Sequence, residues 1–231
     1  GLITKEDTDG IEMTWGNARS IVAMTEKMAK REGFGDVIAD GTRKAAERIG
    51  KGAEKYAMNI QGEEYGAHDP RKAYKFAAAY KMDATPGRHT RDSGFPIVGL
   101  NKPEVDPEAF YGPNVAQSQK IGMSFFHVID SSGCCQFVFL TFPSGQVFVD
   151  FINAASGWNL TIDDVVKTGE RIANIRQAFN VREGLNVFKF KNAPRMVGNP
   201  PLAAGPLAGK SYDEDLLARE FCEAMDWDTT N

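Results

Sequence analysis

Apolar residues recur at three- and four-residue steps along most of the chain, a spacing that places them on one face of an α-helix. The clearest stretch follows Thr161, because Thr161-x-x-Asp164 has the form of a helix-starting capping box. Its apolar positions are Ile162, Val165, Val166, Ile172, Ile175 and Phe179. We predict that this stretch is the longest helix of the chain and that these side chains face its core.

Capping residues and helix breakers bound further apolar stretches in the same way. The predicted helices cover residues 17–31, 36–49, 71–82, 115–129, 144–156 and 211–225, and a short helix follows Cys135. Residues 56–60 alternate between apolar and polar types, which predicts a short strand. Residues 147–151 also alternate, so a strand there competes with the helix that Ser144 would cap.

Residues 84–112, rich in Pro, Gly and Asp, are predicted to be a long loop, and a long loop inside a compact domain is usually functional. Residues 189–210, also rich in Pro and Gly, are predicted to be extended. No repeat, low-complexity tract or sharp linker interrupts the sequence. The whole pattern predicts a multihelical, all-α region over residues 1–231, built either as one body or as two intertwined helical subdomains.

The composition is that of an ordinary soluble globular protein, with 42% hydrophobic and 25% charged residues among 231. A net charge of −4 argues against nucleic acid as a partner. No apolar run approaches the ~18 residues of a membrane-spanning helix, and no signal peptide opens the chain. Three cysteines, two of them adjacent, make a poor disulfide framework, so we expect a cytoplasmic protein without a membrane partner.

Candidate chemistry is concentrated in Asp130-Ser-Ser-Gly-Cys-Cys135, which combines a carboxylate, a turn glycine and two thiols. A thiolate is a natural ligand for a cluster iron, but an iron–sulfur cluster normally uses four cysteines. The third cysteine, Cys222, falls on the apolar side of the last predicted helix, where we expect it in the core. Spacing alone favours a structural thiol at a helix end, because free cysteine is among the most buried residue types.

The loop Ala84-Thr-Pro-Gly-Arg-His-Thr-Arg91 places His89 between two arginines. Histidine is the usual general acid or base near neutral pH, and arginines suit an anionic partner. For a lone histidine, an exposed loop position is the commoner interpretation. His68 is interpreted as a residue before a helix start at Asp69 or Pro70, and His127 as a histidine of the interior.

Three motifs follow one another in a definite order: the loop around His89, the segment Asp130-Ser-Ser-Gly-Cys-Cys135, and a helix from Gly169-Glu-Arg-Ile to Phe179-Asn-Val-Arg-Glu-Gly184. Together they resemble the C-terminal helical part of the tungsten-containing aldehyde:ferredoxin oxidoreductase family. The likeness runs through most of the chain, up to Trp227-Asp228 near its end.

In that family a D-x-x-G-L-C motif binds the pterin through its Asp and supplies the last cysteine of a [4Fe-4S] cluster. The resemblance therefore implies that Asp130 and Gly133 contact a pterin and that Cys135 is the metal ligand. Cys134 stands where the family usually has Leu, so two adjacent thiols could bind the iron. The position of each cysteine within the motif decides between them. This motif register assigns the iron to Cys135 and places Cys134 against the cofactor.

A family histidine at the place of His89 lies close to the tungsten and is proposed to take part in proton transfer. The basic residue two positions later contacts the pterin. The resemblance thus implies a catalytic role for His89 and a cofactor-binding role for Arg91. It also implies that the charged residues Arg171, Arg176, Arg182 and Glu183 tie their helix to neighbouring segments.

The full enzyme implied by the resemblance carries a tungsten (or molybdenum) bis-pterin and a [4Fe-4S] cluster. It oxidises a small aldehyde to a carboxylic acid and passes electrons to ferredoxin. The family's N-terminal pterin-binding domain and C-x-x-C-x-x-x-C run are absent from this sequence. We therefore expect a fragment that is inactive alone and holds neither cofactor stably. The sequence does not decide between tungsten and molybdenum, or between a monomer and a homodimer.

Two alternatives remain at this point. One is a relative with the same cofactor and another substrate, such as a benzoyl-CoA reductase catalytic subunit. The other is a non-catalytic helical scaffold that has lost its metals. Substituting Cys135 by Ser separates them, since electron transfer needs the cluster ligand and partner binding by a scaffold does not.

Overall fold

Helices dominate the computed structural model, which describes residues 1–92 and 97–229. The α-helices in this part of the chain are α1 (Ala18–Lys30), α2 (Phe34–Ile38), α3 (Thr42–Ile49), α4 (Tyr74–Met82), α5 (Pro113–Ser131), α6 (Gly145–Ser156), α7 (Ile162–Arg182) and α8 (Glu214–Met225). Strands β1 (Asn59–Ile60) and β2 (Glu63–Glu64) form an antiparallel pair, with Asn59 opposite Glu64. The predicted all-α class is confirmed.

Short 3₁₀-helices connect these elements. They are Ala53–Tyr56, Pro70–Lys72, His89–Arg91, Gln136–Leu140 and Val187–Lys189. The helix expected after Cys135 is therefore present as a 3₁₀ segment. The predicted loop over residues 84–112 contains one 3₁₀ turn, and its residues 93–96 lie outside the described residues. None of the helices in the described ranges is long and apolar enough to cross a membrane.

The predicted helix starts follow from side-chain caps. Asn17 Oδ1 accepts from the Ser20 amide at 3.2 Å and begins α1. At α7, the Asp164 amide donates to Thr161 Oγ1 at 3.2 Å, while the Thr161 amide donates to Asp164 Oδ2 at 2.9 Å. This is the predicted capping box, and it satisfies amides that have no partner within the helix. It begins a 21-residue helix, the longest of those described.

The helix predicted from Ser144 to Ser156 is confirmed as α6, and the alternation at residues 147–151 does not form a strand. Two other predicted boundaries were wrong. The single helix expected over residues 36–49 is divided into α2 and α3, because Gly41 between them has φ +90° and cannot continue a right-handed helix. The last helix is capped by Asp213, whose Oδ1 accepts from the Leu216 amide at 3.1 Å.

Two further predictions were right in place and wrong in extent. The helix expected over residues 71–82 starts as a 3₁₀ turn capped by Asp69, and α4 begins only at Tyr74. The strand expected over residues 56–60 is limited to β1, because Tyr56 ends the preceding 3₁₀-helix. In both places a tight turn occupies positions that the periodicity alone assigns to a regular element.

Two compact units divide the chain, Gly1–Glu64 and Tyr65–Asn231. In the first unit, Asp9 Oδ2 accepts from the Phe34 amide at 2.8 Å and so ties the N-terminal turn to the start of α2. Glu64 Oε1 accepts from the Thr42 amide at 2.6 Å, which joins the β-hairpin to the start of α3. Each predicted site residue belongs to the second unit.

The core of the second unit surrounds α5. Phe125 on α5, Phe139 and Phe148 form a triangle of edge-to-face rings with centroids 5.5 to 5.9 Å apart. Helix α7 crosses α5 closely at Gly169, where a Cβ atom would stand 1.8 Å from the Ser124 carbonyl oxygen. The glycine of the Gly169-Glu-Arg-Ile motif is therefore required by helix packing.

The second half of α7 presents polar residues inward, against the prediction. Ile175 and Phe179 are 70% and 55% exposed and do not face the core. Gln177 Nε2 donates to the Met82 carbonyl at 2.8 Å, and Asn180 Nδ2 donates to the Ala84 carbonyl at 2.8 Å. The polar face of α7 thus holds the chain segment that leads from α4 toward His89.

Candidate cofactor site

The end of α5 and the turn after it place the residues of the Asp130-to-Cys135 motif. Asp130 lies in the last turn of α5 with a partly exposed side chain. Gly133 has φ +73°, and its amide donates to the Asp130 carbonyl at 3.3 Å. Since a Cβ at Gly133 would meet no atom within 4 Å, the glycine is needed for the turn and leaves open space beside it.

The two adjacent cysteines lie in different environments. Cys135 is exposed and is the N-cap of the 3₁₀-helix Gln136–Leu140. Cys134 is half-buried and packs against the aromatic core. It also lines an open apolar groove of about 400 Å³ between the 3₁₀-helix and α6. The thiol that motif register selects as the metal ligand is thus the one that is exposed to an external ligand.

Arg91 joins two carboxylates from different elements. Its side chain is buried, and Nη1 donates to Asp130 Oδ2 in a close ion pair. The Nε atom of the same guanidinium lies 3.1 Å from Asp83 Oδ2. Arg88 adds a longer contact, with Nη2 4.0 Å from Asp130 Oδ2. The loop arginines therefore fix the carboxylate that the sequence assigns to pterin binding.

Asp83 lies at the end of α4 and is fully buried. Arg176 from α7 donates to both of its oxygens, at 3.0 Å from Nη1 and 3.2 Å from Nη2. The Thr85 amide donates to Asp83 Oδ1 at 2.8 Å, and Arg176 Nη2 also donates to Thr85 Oγ1 at 2.7 Å. The prediction that Arg176 ties its helix to a neighbouring segment is confirmed, whereas Asp83 was missed.

His127 occupies the same buried network, as an interior histidine was expected to do. Its Nε2 lies 3.7 Å from Asp83 Oδ2, and Nδ1 lies 3.4 Å from Arg176 Nη1. Burial, together with the charges of Arg91 and Arg176, lowers its pKa to about 4 despite Asp83. The imidazole is therefore neutral near pH 7 and can share a hydrogen bond without adding a charge.

His89 begins the 3₁₀-helix that ends at Arg91. Its Nδ1 faces Gly66, where a Cβ atom would approach it to 2.2 Å. Tyr80 Oη donates to the Gly66 and His68 carbonyls at 3.1 and 3.0 Å, which fixes the backbone against which His89 lies. Burial and, to a smaller extent, the charges of His68 and Arg88 lower the pKa of His89.

The donor set fits a pterin and one corner of an iron–sulfur cluster. Thr90 Oγ1 and Gln136 Oε1 are buried and lack a hydrogen-bond partner among the described residues, and they flank His89 and Cys135 in sequence. Buried polar atoms without partners are costly unless a ligand pairs them. Within residues 1–92 and 97–229, no three His, Cys, Asp or Glu side chains are grouped to hold a metal ion. A metal cluster at Cys135 would therefore need ligands from outside the described residues.

Comparison with known proteins identifies the family of this chain. The model of the aldehyde ferredoxin oxidoreductase family for domains 2 and 3 matches residues 1–231. A tungsten-containing aldehyde ferredoxin oxidoreductase of Pyrococcus horikoshii is 34% identical over 90% of this chain and 34% of its own length. The corresponding protein of Pyrococcus furiosus is 32% identical over 92% of this chain and 35% of its own length.

Two further proteins, named for other substrates, are also similar to this chain. The WOR-like subunit of an aliphatic sulfonate oxidoreductase from Pyrococcus furiosus is 30% identical over 99% of this chain and 35% of its own length. The active-site complex of benzoyl coenzyme A reductase with 1,5-dienoyl-CoA superposes with a TM-score of 0.70 at 20% identity, covering 99% of this chain and 39% of the other. This last likeness concerns the fold.

These matches define the chain as a helical region of a class of oxidoreductases. It belongs to the aldehyde ferredoxin oxidoreductase family and corresponds to domains 2 and 3 of that family. The chain spans about a third of the length of the curated relatives that it matches.

Proposed function

We propose that the chain is the C-terminal part of a tungstopterin and iron–sulfur oxidoreductase that oxidises aldehydes to carboxylic acids with ferredoxin as electron acceptor. The observation that carries the proposal concerns two residues at and just after the end of α5. Cys135 is exposed, and Asp130 is held by an ion pair with Arg91. The tungsten-containing relatives support the cofactor. The missing N-terminal domain would supply the other cluster cysteines and the second half of the pterin site.

Asp130 and Arg91 form the proposed pterin anchor. Asp130 Oδ2 is engaged by Arg91, which leaves Oδ1 to accept from ring N–H groups of the pterin. Gly133 lets the backbone approach the ligand, and Cys134 packs beneath the turn. The guanidinium of Arg91 is buried between two carboxylates. The direct contact between Arg91 and the pterin, which the resemblance implies, therefore stays a prediction.

His89 is the proposed proton-transfer residue. Oxidation of an aldehyde with water to a carboxylic acid releases two protons and two electrons, so a base near the reacting centre is required. Because its pKa is lowered, His89 is neutral near pH 7 and free to accept a proton. Nδ1 lies against Gly66, so Nε2 is the nitrogen that exchanges the proton. The bound metal cofactor supplies the two-electron chemistry.

Elemental analysis of the full-length protein tests the proposal. The protein is purified without oxygen after growth with tungstate and molybdate. We expect about one tungsten or molybdenum and roughly four iron atoms per chain, the content of one metallopterin and one [4Fe-4S] cluster. A folded protein with neither metal would contradict the proposal and favour the scaffold.

A second candidate keeps the cofactor and changes the substrate. The match to a sulfonate oxidoreductase subunit covers 99% of this chain, more than the 90% covered by the first aldehyde oxidoreductase. A metal-loaded enzyme is therefore assayed with aldehydes, aliphatic sulfonates and aromatic acyl-CoA thioesters. Turnover of sulfonates or thioesters without turnover of aldehydes would favour this candidate.

A further inference from the structure

A buried carboxylate is stable in a protein only when cations and hydrogen-bond donors surround it. Asp83 meets this requirement with Arg176, Arg91 and the Thr85 amide, at distances between 2.8 and 3.2 Å. Arg176 comes from α7 and therefore fixes Asp83 from outside the loop. Asp83 is thus a rigid point, and it lies next to the loop that carries His89 and Arg91.

Arg91 links Asp83 to Asp130, since its guanidinium contacts both carboxylates. The guanidinium is planar, so Nε and Nη1 have a fixed angle between them. Nε lies 3.1 Å from Asp83 Oδ2 in an ion-pair contact that is not a hydrogen bond, and Nη1 donates to Asp130 Oδ2. Asp130 itself is partly exposed, and Arg88 makes only a longer contact with it, at 4.0 Å. Its orientation therefore depends mainly on Arg91.

We propose that Asp83 is a positioning residue of the cofactor site: it orients Arg91, and through Arg91 it aims the carboxylate of Asp130 at a bound pterin. This inference rests on the proposed function, since it assigns a residue to the same site. Asp83 does not contact the pterin in this arrangement. It acts by fixing a residue in the last turn of α5, just before the segment that leads to Cys135.

The chain offers a matched control in Asp92. Asp92 is also a fully buried aspartate, and it pairs with Lys102 Nζ at 3.3 Å. It makes no ion pair with Arg91 among the described residues. Asp92→Asn therefore removes a buried charge of the same type without acting on the pterin anchor. Any general cost of losing a buried ion pair appears in both variants.

The test measures tungsten and iron per folded chain in the full-length protein. The set comprises wild type, Asp83→Asn, Asp92→Asn, Arg91→Gln and the double variant Asp83→Asn/Arg91→Gln, each checked by circular dichroism. We expect Asp83→Asn to lower tungsten about tenfold while iron is retained, as for other residues that orient a ligand group. Asp92→Asn keeps both metals.

The double variant separates positioning from folding. It removes the buried charges of Asp83 and Arg91 together, so only Arg176, whose side chain is 26% exposed, loses its carboxylate, and we expect it to fold at least as well as Asp83→Asn. If Asp83 acts through Arg91, the double variant loses no more tungsten than Arg91→Gln. Additional loss in the double variant, or equal tungsten loss in Asp83→Asn and Asp92→Asn, would overturn the inference. Absence of both tungsten and molybdenum from the wild type would instead overturn the proposed function.

Discussion

The imidazole rings of His68 and His89 lie with their centroids 4.7 Å apart and their planes at 40°. The His68 ring also stacks on Phe76, with centroids 4.8 Å apart, so it is held in place. His68 is exposed to solvent, whereas His89 is half-buried. The expectation that His68 merely precedes a helix start is therefore incomplete, because its ring forms one wall of the environment of His89.

Replacing His68 should raise the pKa of His89. The charge of His68 adds to burial in lowering that pKa, so His68→Gln moves it back toward the ordinary value. The acid limb of the pH–rate profile of the full-length enzyme then moves to higher pH. Proton NMR titration of His89 gives the same shift without turnover. Lys72→Gln, which removes an exposed charge four positions after His68 in the sequence, is the control. An unchanged His89 titration in His68→Gln would contradict the prediction.

The two cysteine variants should differ in iron content. Cys135→Ser removes the exposed thiol, so we expect loss of most cluster iron and of electron transfer to an acceptor. Cys134→Ser alters a half-buried thiol that packs against the core and should keep its iron. Iron analysis with electron paramagnetic resonance of the reduced full-length protein compares them. Iron loss in Cys134→Ser alone would reverse the assignment.

Gly169→Ala should destabilise the protein. The new methyl group would clash with the Ser124 carbonyl, so α5 and α7 must separate, at a cost of about 1–3 kcal/mol or more. Gly145→Ala is the control, because its Cβ meets atoms only at 3.4 Å or beyond. Urea unfolding followed by circular dichroism measures both. Equal midpoints for the two variants would show that the helices adjust at no cost.

Acid should weaken the fold through His127. Its folded-state pKa of about 4 lies below the ordinary 6.5, so the unfolded chain binds more protons between these values. The stabilising effect is full above pH 6.5 and is lost as the pH falls toward 4, by up to about 3 kcal/mol. His127→Gln should flatten this dependence. Urea unfolding at several pH values tests it, and identical slopes in both proteins would refute it.

Local sequence signals predicted much of the fold. The capping box at Thr161 and the cap at Asn17 are interactions between residues three positions apart, so the sequence displays them directly. The exposure of Ile175 was not predicted, because the inner face of α7 is polar there. That face binds main-chain carbonyls of residues far away in the chain, and no periodicity reveals such partners.

The same reason explains which part of the site was missed. The motif from Asp130 to Cys135 is contiguous and was found. Asp83 and Arg176 are separated by 93 positions, and each alone has the pattern of a surface charge. Only the hydrogen bonds between the end of α4 and the polar face of α7 bring them together. The burial of Asp83 is therefore seen in the structure and could not be predicted from the sequence.

The polar face of α7 also has an evolutionary consequence. Asn180 binds the carbonyl of Ala84, a group that every amino acid possesses. This bond therefore preserves the path of the backbone whatever side chain stands at position 84. Positions 83 and 85 differ, because Arg176 binds their side chains, and a substitution there would call for a compensating change in α7.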